Sequence, residues 1–150
     1  MAVVNDRYNA TMATARIKTG SRSPWFTPGL FRFLEELRLH NDRDWFERNK
    51  ERYLREVRDP MLGFIAGAAP LLKRLAPRLV ADPRPAGGSM FRIHRDTRFS
   101  KDKTPYKTNV AASFRHAAGR DVHGPGLYLS LAPGEVEVGG GVWHPEPEPL

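Results

Sequence analysis

The hydrophobic period of the chain changes once, and the change falls just past Pro77. Before that proline, apolar side chains recur three and four residues apart, the spacing of one helix face. From Met90 they recur every second residue, the spacing of one strand face. No single element satisfies both periods. Helices followed by hairpin-linked strands point to an α+β domain, with N-terminal amphipathic helices packed on an antiparallel sheet.

Three helices are expected in the first part. Thr27-Pro28 reads as a cap followed by a proline at the first helical position, and Leu30, Phe31, Leu34 and Leu37 follow at helical spacing. His40-Asn41-Asp42 breaks that pattern and offers a fresh cap. Phe46, Tyr53 and Val57, flanked by Trp45 and Leu54, form the stripe of the second helix. Asp59-Pro60 reads as the start of a third, with Met61, Leu62, Ile65, Leu72 and Leu75 on its buried face and Ala76-Pro77 at its end. Asp82 to Gly88 is a turn-rich connection. Phe91 and Ile93, then Val110, Ala112 and Phe114, then Leu127, Leu129 and Leu131, and finally Val136 and Val138 alternate as strand faces, with Pro133-Gly134 as a hairpin turn.

The composition narrows the class of protein. At 40% hydrophobic residues, the chain can build a core, and 150 residues suit one domain, expected over 25–150. Residues 1–24, rich in Ala, Ser and Thr, are expected to be a disordered tail. With no cysteine in these residues, disulfides, thiolate metal sites and cysteine nucleophiles are excluded. No apolar run approaches the roughly 20 residues of a membrane span, so a non-membrane, cytoplasmic protein is expected.

The formal charge is +7, and its densest stretch is 91–107. Six cations (Arg92, Arg95, Arg98, Lys101, Lys103 and Lys107) stand there among only two carboxylates, Asp96 and Asp102. Two readings compete. In one, Arg95, Arg98 and Lys103 pair with Asp96 and Asp102 to brace a long connection between strands. In the other, the uncompensated cations bind an anionic small molecule through phosphate or carboxylate, as clustered Arg and Lys do. Nucleic-acid binding is a variant of the second, with Phe99 or Tyr106 stacking bases; alternatively, either aromatic anchors the loop to the core. Asp96 and Asp102 are candidate bases, but pairing would hold them occupied, so no catalytic residue is assigned and the question of an enzyme stays open.

Other motifs carry less. Gly87-Gly88-Ser89 precedes a strand-like run rather than a helix, so it reads as a bend and not a phosphate loop. Gly124-Pro125-Gly126 and Gly139-Gly140-Gly141 read as turns, bulges or close-packing points. His116, His123 and His144 have no metal-ligand spacing, so neither metal nor cofactor is called for. Asn49, four residues before Tyr53 on the apolar face, reads as a buried capping or cross-helix hydrogen bond, with a ligand contact as the alternative.

Several segments together resemble a known family. They are Asn41-Asp42-Arg43-Asp44-Trp45-Phe46, Asn49-Lys50 with Tyr53, Gly88-Ser89, Phe91-Arg92-Ile93, the run from Arg95 to Thr108, and Pro125-Gly126 with Tyr128. The combination resembles the family catalogued as domain of unknown function 2461, from about Trp25 to Leu150. That resemblance implies no activity. It does imply further helices beyond Trp143-His144-Pro145, so the chain resembles a C-terminally truncated member, and one sheet face or cleft wall is expected to be incomplete.

Overall fold

The computed structural model describes residues 25–118 and 125–142. The expected tail at 1–24, His123 and the segment from Trp143 to Leu150 lie outside the described residues. Within them the chain runs α1 (Pro28–Leu39), α2 (Arg43–Arg48), α3 (Lys50–Tyr53), a π-helical turn (Leu54–Arg58), α4 (Asp59–Leu75), β1 (Leu79–Val80), β2 (Val110–His116), β3 (Pro125–Ala132) and β4 (Glu135–Val142). Helices come first and an antiparallel four-stranded sheet in order β1-β2-β3-β4 follows, which is the α+β class expected from the periods.

The helix boundaries depart from expectation at two caps. Asp42 does cap α2, its Oδ1 accepting from the Trp45 N–H at 2.8 Å. Thr27 takes the extended N-cap conformation but makes no side-chain capping bond, and Pro28 alone marks that start. Asp59 caps nothing. Its backbone is already helical, so α3 continues through the π-helical turn into α4. The extra residue that a π turn accommodates lets the apolar stripe of the second helix pass into that of the third without a break.

Leu30, Phe33, Leu34 and Leu37 of α1, Val57, and Met61 and Ile65 of α4 are fully buried. Arg52 spans the helices, its guanidinium donating to both Glu36 oxygens at 2.6 and 2.9 Å and to Glu56 at 3.1 Å. It also lies 5.4 Å over the Phe33 ring. Against expectation, Leu75 at the end of α4 is 71% exposed.

One sheet face carries Val110, Ala112 and Phe114 of β2, in register with Leu131, Leu129 and Leu127 of β3, and then with Val136, Val138 and Gly140 of β4. The helices cover the β2 side of this face, where Val110, Ala112, Phe114 and Leu131 are buried. Toward β4 the cover runs out: Val136 and Val138 are 60% and 61% exposed. Gly140 lets the Leu127 side chain lie close over β4.

The edge beside β2 is made in two pieces. Leu79 and Val80 pair with His116 and Arg115, and the chain then leaves the sheet before Met90 bridges Ala112. Gly87, with φ near +70°, turns the excursion, and a side chain at Gly88 would strike the carbonyl oxygens of Asp82 and Arg84. Ser89 closes it: its N–H donates to Asp82 O, and its hydroxyl accepts from the Asp82 N–H. Gly87-Gly88-Ser89 is thus the bend that its position before a strand implies.

Candidate functional site

Residues 89–95 run antiparallel to 105–113 and form an arm that extends the sheet edge. Phe91 N–H donates to Ala111 O, Arg95 N–H to Pro105 O and Lys107 N–H to Ile93 O. Bridges at Met90–Ala112 and His94–Tyr106 are offset by two residues, so Thr108 and Asn109 bulge between them. The expected strand at 90–94 is therefore two isolated bridges rather than a ladder. Asn109 uses its place to donate to the Ser130 hydroxyl on β3 at 2.8 Å.

The arm is held to the helices at Tyr106. Because the arm's own hydrogen bonds flank the His94–Tyr106 pair, the Tyr106 N–H and C=O face outward. Asn41 meets both: its Oδ1 accepts from the Tyr106 N–H and its Nδ2 donates to the Tyr106 O, each at 3.0 Å. The carboxamide takes the part of a neighbouring strand. Below it the Tyr106 ring stacks on Phe46 with centroids 4.1 Å apart. Tyr106, offered by the sequence as a stacking platform or an anchor, is buried and serves as the anchor. Asn49, expected to cap or to bridge helices, does neither: its side chain donates to Trp45 O at 2.9 Å, one turn back along the chain.

Beyond Arg95 the loop is braced by its own carboxylates. Asp102 accepts from the Thr104 N–H and hydroxyl through Oδ1 and from Arg95 through Oδ2. These bonds, the two from Thr104 foremost, bring the Asp102 carboxyl down to about 2. Asp96 accepts from the Arg98 backbone N–H and guanidinium, which lowers its pKa as well. Lys103 donates to Thr97 O, and Lys107 to Arg92 O, each at 2.8 Å. Burial, then the Arg92 charge, pull the Lys107 ammonium below the usual lysine range. Arg92 and Lys101 make no ion pair or side-chain hydrogen bond among the described residues. Phe99 at the tip is 94% exposed.

Two clefts open where the arm meets the helices. The first, of about 360 Å³, is lined by Arg43 and Glu47 of α2 and by His94, Arg95, Thr97, Pro105 and Tyr106 of the arm. The second, of about 270 Å³, lies between Asn41, Arg95, Asp102, Thr104 and the bulge from Lys107 to Asn109. Of the six nominated cations, Arg95 borders both clefts and Lys107 the second; Arg92, Arg98, Lys101 and Lys103 border neither. Arg43, Glu47 and Thr97 are not among the site residues nominated from sequence: Arg43 and Glu47 have the spacing of any solvated helix face, and Thr97 is an uncharged residue among the loop cations.

All three hydrogen bonds from the Arg95 guanidinium leave from Nη1, to Asp102 Oδ2 and to the Thr104 hydroxyl and carbonyl. Nε and Nη2, the edge that grips a carboxylate or phosphate with two parallel N–H groups, have no partner among the described residues. The side chain is 26% exposed, held from behind and open at the side.

A family model covers residues 29–150 and contains the Asn41 segment, the arm and both clefts. The chain belongs to the DUF2461 family. The family is described as a conserved hypothetical protein, so membership fixes kinship and leaves the chemistry to the site. No curated protein and no solved structure matches the chain. No helix among the described residues of this DUF2461 protein is long and apolar enough to cross a membrane.

Proposed function

We propose that the first cleft binds a small molecule carrying a carboxylate or phosphate, with Arg95 as its anchor and Arg43 as a second cation. The observation that carries this reading is the open Nε/Nη2 edge of a guanidinium whose position is already set by Asp102 and Thr104. Such a group loses little freedom on binding, and prior ordering is a main source of affinity for a small ligand. The test is calorimetric titration of the full chain with succinate and with inorganic phosphate. Arg95→Lys keeps the charge and removes the paired N–H edge, so it should weaken binding about tenfold. Arg38→Gln, on the exposed side of α1, should leave binding unchanged. No heat with either anion, or equal affinity in Arg95→Lys, would overturn the assignment.

A second reading rests on the tip. Phe99 is 94% exposed, with the Arg98 guanidinium 5.8 Å from its ring. That combination suits a single-stranded nucleic acid. Oligonucleotide affinity that falls steeply with salt and drops in Phe99→Ala would favour it; a flat salt dependence would dismiss it.

A further inference from the structure

The first cleft contains a carboxylate among its cations. Arg43 and Glu47 stand one turn apart on α2, a spacing at which opposite charges commonly pair along a helix. No ion pair joins them, and both side chains line the cleft instead. The ion pair that Glu47 does make is a 3.6 Å contact with Lys50, and the Glu47 side chain stays 63% exposed. Arg43 makes no ion pair among the described residues. Both charges reach the Tyr106 phenol: burial raises its pKa first, Glu47 raises it further and Arg43 lowers it. The wall formed by α2 therefore presents one positive and one negative group, and Arg95 faces them from the arm.

A plain anion uses only part of this surface. Seated on Arg95 and Arg43, it meets the Glu47 carboxylate as a like charge, which costs affinity. A molecule that adds an ammonium group to its carboxylate turns that repulsion into an ion pair. The size agrees, since about 360 Å³ is at the lower end of ligand pockets and suits a compact metabolite rather than a nucleotide. Thr97 and His94 leave polar groups for a ligand side chain. We infer that the ligand is an amino-acid-like zwitterion, its carboxylate on the open edge of Arg95 and its ammonium on Glu47.

This inference rests on the anion-binding reading, and one pair of probes separates their failures. Succinate and L-aspartate differ by a single amino group. Titrated into the full chain, L-aspartate should bind about fivefold more tightly than succinate, the upper range for a partly exposed ion pair. Glu47→Gln should abolish that preference and leave succinate binding equal or stronger. If succinate binds and L-aspartate binds no better, the zwitterion is wrong and the anion site stands. If the preference survives in Glu47→Gln, the ammonium is held elsewhere and the assignment to Glu47 is overturned. If neither probe nor phosphate binds, both readings fall.

Discussion

Asn41→Ala removes one side chain and two hydrogen bonds that join residues 65 positions apart. Each bond is 3.0 Å long, and the residue it serves, Tyr106, is buried against Phe46. If water reaches both freed backbone groups, the loss is the net worth of two bonds, about 2 kcal/mol. If neither group is rehydrated, the loss approaches two unsatisfied polar groups, about 4 kcal/mol. Asn41 is itself only partly buried, which places the expectation near the lower figure. Urea unfolding followed by tryptophan fluorescence measures the loss, and hydrogen exchange at the Tyr106 amide localises it. Asn41→Asp makes the test sharper. Its carboxylate still accepts from the Tyr106 N–H, but nothing then donates to the carbonyl until the acid is protonated. Because the neutral form supplies that donor, the carboxyl pKa should rise in the folded state. The deficit of Asn41→Asp relative to the wild-type chain should be largest near pH 7 and shrink as the pH falls through that raised value. A loss below about 0.5 kcal/mol in Asn41→Ala, with Tyr106 exchange unchanged, would refute the claim that this carboxamide holds the arm.

Four other outcomes are expected. Asp102, lowered to about 2, contributes order to the loop that is fully present above the ordinary aspartate pKa near 4; this is lost as the pH falls through about 2, visible as faster exchange of the Thr104 amide between those limits. Arg52→Ala leaves Glu36 and Glu56 facing one another without their shared cation, and should cost about 1–2 kcal/mol in urea unfolding, below the figure for a fully buried pair. Gly67→Ala should displace Trp25, because the added methyl would lie 2.5 Å from the indole Cζ2; a shift in tryptophan emission reports it, and an unchanged spectrum counts against the packing. Pro70 lies inside α4 on its exposed side, so Pro70→Ala should raise stability by about 2 kcal/mol in urea unfolding, the gain in helix propensity less the freedom returned to the unfolded chain.

The architecture was legible wherever one period ran long enough to be unambiguous. Leu30, Leu34 and Leu37 lie in the core as their spacing required, and β2, β3 and β4 fall on the alternating runs. The failures are at junctions. Asp59-Pro60 has the residues of a helix start, yet the chain around it was already helical, and local cap chemistry does not report what precedes it. The strand expected at 90–94 breaks into bridges because the partner chain bulges at Thr108 and Asn109, a property of the pairing and not of the strand.

The same division between local and distant partners explains the basic loop. Aspartate accepts readily from the backbone N–H two residues on, and among the described residues this occurs three times: Asp82 with Arg84, Asp96 with Arg98, and Asp102 with Thr104. In the first two, the residue two positions on is an arginine that folds back to pair with the same carboxylate. The acids in the basic run are therefore turn formers whose partners can be read from adjacent letters. In the third, the corresponding position is threonine, so the second Asp102 oxygen is left to take a cation from farther away, Arg95. That single change of letter separates Arg95 from the other loop arginines that resemble it in composition. Arg98 spends Nε and Nη2 on its own turn, whereas Arg95 spends Nη1 and leaves Nε and Nη2 without a partner among the described residues, at the border of the cleft. Arg43 and Glu47, which line the same cleft, are brought to it by the docking of Asn41 and Phe46 on Tyr106. No spacing along the chain encodes a contact of that kind, and the cleft became visible only when the two segments were brought together.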